Sequence, residues 1–242
     1  MSVSVPVERP TSAPAKGAPR PAGKLGMLGK LGGNLGKKAA GSPGLWLAIV
    51  ALGLTVPIVT RVLRPAPPAL PVLGTLPAFA LTDQENRPFG SGDLRGHVWV
   101  AGFIFTRCPT ICPAITTTMG RMQHRGRGLG QDFRLVSFSV DPAFDTPERL
   151  AVYASQHRAS PRTWKFVTGR FDLVKQTVVD GLKISMADRA PTGEQDFASI
   201  MHGTHFVLVD RDGRIRGYYD SSNPDVVDRV LGDAAMLINR GS

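Results

Sequence analysis

The sequence predicts an α/β domain built on a parallel sheet core, extended by an N-terminal β-hairpin and tethered by one N-terminal apolar helix. Three observations carry that expectation. Apolar runs at 97–106, 133–140 and 164–168 alternate with stretches of helical character, the pattern of parallel strands joined by crossover helices. Residues 204–219 change to two short strands around Arg211-Asp212-Gly213, a hairpin turn, followed by a closing helix at about 224–238. Residues 39–60 carry no charge at all and stand apart from both.

In chain order, the first 38 residues hold Arg9, Lys16, Arg20, Lys24, Lys30, Lys37 and Lys38 against Glu8 alone, so more than half of the net charge of +10 lies there. Rich in Pro, Gly, Ala and Lys, residues 1–38 are expected to form a disordered basic tail. Leu25, Leu28, Leu31 and Leu35 recur at helical spacing, but the interspersed glycines each cost about 1 kcal/mol in a helix. The tail has no interleaved aromatics and adjoins an apolar segment, so no nucleic-acid partner is expected. Residues 39–63 are expected to form one transmembrane helix, because a bilayer core takes about 20 apolar residues. Lys37 and Lys38 precede it, and only Arg61 and Arg64 come after, which puts the N-terminus in the cytoplasm by the positive-inside rule. The long charged leader favours an uncleaved anchor over a signal peptide. Residues 64–71, with Pro65, Pro67, Pro68 and Pro71, read as a linker, and 72–242 as the exported domain.

Within that domain, Phe79–Asp83 and Asn86–Phe89 read as the hairpin ahead of the strand at 97–106. A helix is expected from Ala114 to about Gly128, a strand at 133–140, a helix opened by Thr146-Pro147 and ending near His157, a strand at 164–168, and a helix from Phe171 to about Gly181. Asp145 and Thr146 are expected to cap the helix at Pro147. Residues 182–201 read as an inserted loop.

The chemistry concentrates at Phe105-Thr106-Arg107-Cys108-Pro109-Thr110-Ile111-Cys112-Pro113, which holds the only two cysteines of the chain, each followed by proline. Proline disfavours the α region in the residue before it, so both cysteines are expected outside the helix, with Cys112 as its N-cap and Pro113 its first residue. A thiol at a helix N-terminus beside a cation such as Arg107 is favoured as thiolate. A structural disulfide between them would close only a few residues and stabilise little. Metal binding or redox chemistry explains the pair better. A βαβ unit with thiols at its first strand-to-helix turn, followed by a hairpin and a helix, is the thioredoxin arrangement.

These thiol residues, together with Val140-Asp141-Pro142-Ala143-Phe144-Asp145-Thr146-Pro147 and with His202 ten residues before Asp212-Gly213, resemble the Sco/SenC proteins over about residues 72–240. That resemblance implies a membrane-anchored, thioredoxin-like copper chaperone that helps assemble the binuclear copper site of cytochrome c oxidase subunit II. It places the copper ligands, for Cu(I) or Cu(II), on Cys108, Cys112 and His202. Two thiolates are soft donors suited to Cu(I), and imidazole suits copper in either state. Of the five histidines, His97, His124 and His157 read as surface residues, while His205 competes with His202 for the third position, only His202 matching the family spacing. Thr110 occupies a position that is acidic in many relatives. The implied partners are subunit II, an upstream copper donor or thiol reductase, and the membrane. The implied location of the C-terminal domain is the periplasm, or the mitochondrial intermembrane space.

A thiol-disulfide oxidoreductase, with Cys108 and Cys112 as its redox-active dithiol, is the alternative. Against it stand the three-residue spacer, one longer than Cys-x-x-Cys, and the lack of a proline in 197–204 just before the hairpin. A peroxidase relying on one activated cysteine near Thr106 and Arg107 shares the same fold.

Overall fold

The computed structural model describes residues 43–62, 69–109, 111–186 and 204–240. Two compact units divide near Pro67. The first contains helix α1 (Pro43–Val62, 20 residues). Among the described residues no helix is long and apolar enough to cross a membrane. The expected span at 39–63 contains this helix. The tail at 1–38 and most of the linker lie outside the described residues.

In the second unit, eight strands form one sheet in the order β1-β8-β7-β4-β5-β6-β2-β3. The strands are β1 (Gly74–Thr75), β2 (Ala80–Asp83), β3 (Pro88–Gly90), β4 (Val98–Ile104), β5 (Phe133–Ser139), β6 (Trp164–Thr168), β7 (His205–Val209) and β8 (Arg214–Asp220). The helices are α2 (Ser91–Leu94), α3 (Ile111–Arg125), α4 (Pro147–Gln156), α5 (Phe171–Lys175) and α6 (Val226–Arg240), with a 3₁₀ stretch at Gly126–Asp132 and a π turn at Gln176–Gly181. β4, β5 and β6 run parallel, and β7 lies antiparallel to β4 on its other side. The expected N-terminal hairpin forms from β2 and β3 and joins the sheet by pairing β2 antiparallel with β6. The two-residue β1 at the opposite edge was not expected.

Every residue of β4 is buried, as a central strand covered on both faces requires. On one face Gly102 receives Met119 of α3, since a Cβ at Gly102 would lie 2.4 Å from the Met119 sulfur. Trp164 Nε1 donates to Ser137 Oγ on the same side at 2.9 Å. On the other, Phe103 stacks on Phe138, and Phe79 meets Phe138 edge-on at 5.8 Å. The β7–β8 turn is fixed by Asp210, whose carboxylate accepts the backbone N–H groups of Asp212 and Arg214 and the side chains of Arg214 and Arg216. Gly213 supplies the positive φ of 80° that the turn needs.

Candidate functional site

The thiol segment leaves the end of β4 at Ile104 and enters α3 at Ile111, at the carboxyl edge of the parallel strands, where open α/β sheets collect their ligands. Both cysteines are buried and present as free thiols. The Cys112 N–H points to Cys108 Sγ at 3.5 Å, and the Cys108 N–H donates to the Phe105 carbonyl at 3.2 Å. The expectation that Cys112 is an N-cap is corrected: α3 begins at Ile111, so Cys112 and Pro113 both lie in its first turn. The first four N–H groups of a helix have no intrahelical partner, so the missing N–H of Pro113 costs no hydrogen bond there.

Burial pushes the Cys112 thiol well above its ordinary pKa, partly offset by a backbone hydrogen bond at Phe105 and reinforced by Cys108 and the charge of Asp145. Desolvation therefore outweighs the thiolate stabilisation expected from the helix terminus, and in the metal-free form Cys112 is a thiol. The Tyr153 hydroxyl shares a 2.8 Å hydrogen bond with Thr116 Oγ1, and burial together with the nearby cysteines raises its pKa.

Asp141 and Asp145 follow β5 and reach the same edge. Arg107 Nε donates to Asp141 Oδ2 at 2.6 Å, with Asp141 fully buried. Oδ1 of Asp141 has no hydrogen-bond partner among the described residues. The Arg107 guanidinium also lies 4.8 Å from the Phe144 ring centre, and Arg149 lies 3.9 Å from it. Arg107, next to Cys108 in the chain, is thus held by a buried carboxylate and an aromatic ring.

Of the two expected caps, only Thr146 caps α4, its Oγ1 accepting the Arg149 N–H. Asp145 instead turns inward and accepts from the Thr106 N–H, the Thr106 hydroxyl and the Ser139 hydroxyl. Burial pushes its pKa up, against the lowering effect of the Ser139 and Thr106 hydrogen bonds, and Asp141 adds to the rise. Its only sequence signal was its position in a motif with Asp141.

His202 lies outside the described residues, as do Thr110 and most of the inserted loop. His205 begins β7 opposite Asp220 of β8. The register Trp99↔Val209 to Ala101↔Val207 carries the His205 end of β7 toward the Ile104 end of β4, the thiol end. His97 lies before the opposite end of β4, bonded to Arg95 O and Arg134. His124 is on α3, and His157 ends α4 with its ring 4.5 Å from that of Tyr153. Among the described residues no group of three His, Cys, Asp or Glu side chains is placed to hold a metal ion. The two sulfurs are brought together; a third donor is not among the described side chains.

The SCO1/SenC family model matches residues 73–235. The SCO1 protein homolog of Bacillus subtilis strain 168 is 31% identical over 156 residues, covering 64% of this chain and 78% of that one. The fold is similar to that of BsSco, whose structure is described as identifying a disulfide switch in a member of the Sco family of cytochrome c oxidase assembly proteins (TM-score 0.62, 28% identity, 71% of this chain and 98% of that chain). It is also similar to yeast Sco1 with copper bound (TM-score 0.53, 25% identity, 68% and 88%).

Proposed function

Starting from the membership of this chain in the SCO1/SenC family, we propose that it is a membrane-anchored copper metallochaperone carrying one copper ion on Cys108, Cys112 and His202 to the binuclear copper site of cytochrome c oxidase subunit II. The observation that carries this reading is the pair of buried free thiols at one strand-to-helix turn, the Cys112 N–H 3.5 Å from Cys108 Sγ. Two sulfur donors suit Cu(I), and copper is here the cargo. Loading requires both thiols to give up their protons, and the free N–H groups at the start of α3 favour the charge that results. With three ligands the site stays open, so a target thiolate can enter before the donor's ligands leave. The copper-bound yeast Sco1 structure and the oxidase-assembly description of BsSco support cargo and destination.

In this reading residues 39–63 anchor the chain, with the basic tail cytoplasmic and the domain in the periplasm or mitochondrial intermembrane space. The helical run Pro43–Val62 behind Lys37 and Lys38 supports it. Resistance of the chain to alkaline carbonate extraction checks the anchor, and its release into the soluble fraction contradicts it.

Copper K-edge absorption of the Cu(I)-loaded full chain tests the ligand set. The expected first shell holds two sulfurs and one nitrogen; a shell without sulfur overturns it. A second reading rests on the same adjacency, because neighbouring free thiols can also cycle through a disulfide. In that reading the chain reduces the cysteine pair of subunit II or of another exported protein. Turnover of a disulfide substrate that is unchanged in His202→Ala would favour it.

A further inference from the structure

At the pole of the sheet opposite the thiols, a cavity of about 370 Å³ opens between the 3₁₀ stretch after α3 and the loop before β6. Gln123, Arg127, Arg134, Ser160, Arg162 and Thr163 line it. A neighbouring hollow of about 280 Å³ shares Arg134 and Arg162, so the two guanidinium groups stand between them.

The charges around this cavity are unbalanced. Arg125 pairs with Asp228, Lys165 with Asp83 and Glu85, and Asp132 with Arg211. Those pairs engage Asp228, Asp83, Glu85 and Asp132, while Asp93, on the wall of the neighbouring hollow, accepts the Gly90 N–H. Arg127, Arg134 and Arg162 have no carboxylate ion-pair partner among the described residues, although all three line one cavity.

The walls are held in place. Gln123 accepts the Ser160 N–H at 2.7 Å and donates to the Arg158 carbonyl at 3.1 Å, fastening the loop before β6 to α3. Arg134 is oriented by two neutral acceptors, the Phe133 carbonyl and His97 Nε2, each at 3.2 Å. A guanidinium can only donate, so His97 must accept through Nε2 and give its Nδ1 proton to the Arg95 carbonyl. The charge of Arg134 is thereby positioned without a direct ion pair, Asp132 acting on it only from a distance. Thr163 Oγ1, on the same wall, is buried without a hydrogen-bond partner.

We propose that this cavity is an oxyanion site that binds a phosphate group, either free or on a phospholipid headgroup. Three guanidinium groups with nearby hydroxyl and amide side chains offer more N–H and O–H donors than one carboxylate has lone pairs to accept. They match a multiply charged tetrahedral anion, to which arginine forks bind in bidentate fashion. The site is separate from the thiols and does not depend on the copper reading.

The test is calorimetric titration of the full chain, in non-ionic detergent, with inorganic phosphate and with dihexanoyl phosphatidylglycerol below its micelle concentration. Wild type is compared with the double variant Arg127→Ser and Arg162→Ser, whose positions are exposed, so stability should change little. Saturable one-to-one binding that weakens by about tenfold or more in the double variant is expected. Amide exchange should slow on binding at residues 126–134 and 158–163. Binding of inorganic phosphate alone assigns the site to a free phosphate, and preferential binding of the lipid assigns it to a headgroup. Failure of both ligands to bind, or equal affinity in wild type and double variant, overturns the proposal. Copper loading of the double variant should match wild type, which keeps this outcome apart from that of the chaperone reading.

Discussion

Asp145 reaches back 39 residues to Thr106, accepting its backbone N–H at 3.1 Å and its hydroxyl as well, and so ties the thiol segment after β4 to the turn after β5. Ser139 donates to the same carboxylate at 2.6 Å. Asp145→Ala leaves the buried Ser139 hydroxyl and the two half-buried Thr106 donors without this acceptor, and a loss of about 3 kcal/mol in chemical denaturation is expected. Asp145→Asn should lose less, because its amide oxygen still accepts. A loss below about 1 kcal/mol in the alanine variant would show that the tie contributes little.

Gly102 sets how closely α3, and with it Cys112, approaches the sheet. A methyl group there would sit 2.4 Å from the Met119 sulfur, in a site where Met119 is fully buried. Gly102→Ala is expected to cost roughly 1–3 kcal/mol by overpacking. Met119→Val should recover part of that cost in the double variant; strictly additive losses in thermal denaturation would contradict a direct clash.

Asp210 and Asp83 are buried carboxylates whose burial opposes ionisation. Hydrogen bonds from Arg214 and Arg216 at Asp210, and from Lys165 and Arg87 at Asp83, outweigh it and hold both pKa values below their ordinary level. In the window between the lowered folded value and the unfolded value of about 3.9, the unfolded chain binds more protons, so stability falls as pH falls. Asp210→Asn should cost about 3 kcal/mol at neutral pH and flatten the acid limb of the stability curve. An unchanged acid limb would rule out this linkage.

Cys108 is 8% exposed and Cys112 is fully buried, with its thiol further protected by a raised pKa. In the reduced, metal-free chain at pH 8, iodoacetamide should modify Cys108 first, and Cys112 about tenfold more slowly or less. Peptide mass spectrometry reads the order directly, and equal rates would contradict the buried placement of Cys112.

Alternating apolar runs and helical stretches were enough to read the core of the sheet, because central strands such as β4 are buried on both faces and hence continuously apolar. The turn at Arg211-Asp212-Gly213 was equally plain, since Asp and Gly meet its backbone demands locally. What escaped depended on contacts between distant segments. The inward turn of Asp145 follows from β4 and β5 being neighbours, whereas local rules favour a cap. β1 is two residues long and is held by β8, which no local pattern announces. The arginine-lined cavity draws on separate segments whose charges look ordinary until the ion pairs around them are drawn. The proline rule misplaced Cys112 because its steric penalty on the preceding residue is a bias that tertiary packing can override, and in a first turn Pro113 forfeits no hydrogen bond.

The central claim is that Cys108, Cys112 and His202 hold copper together. Cu(I) titration of the reduced full chain against a competing chelator, without oxygen, compared with His202→Ala and His205→Ala, tests it most directly. One copper per chain is expected, retained in His205→Ala and lost in His202→Ala by more than the roughly tenfold to hundredfold typical of removing a ligand's outer partner. Wild-type affinity in His202→Ala, or no retention in wild type, would contradict the claim.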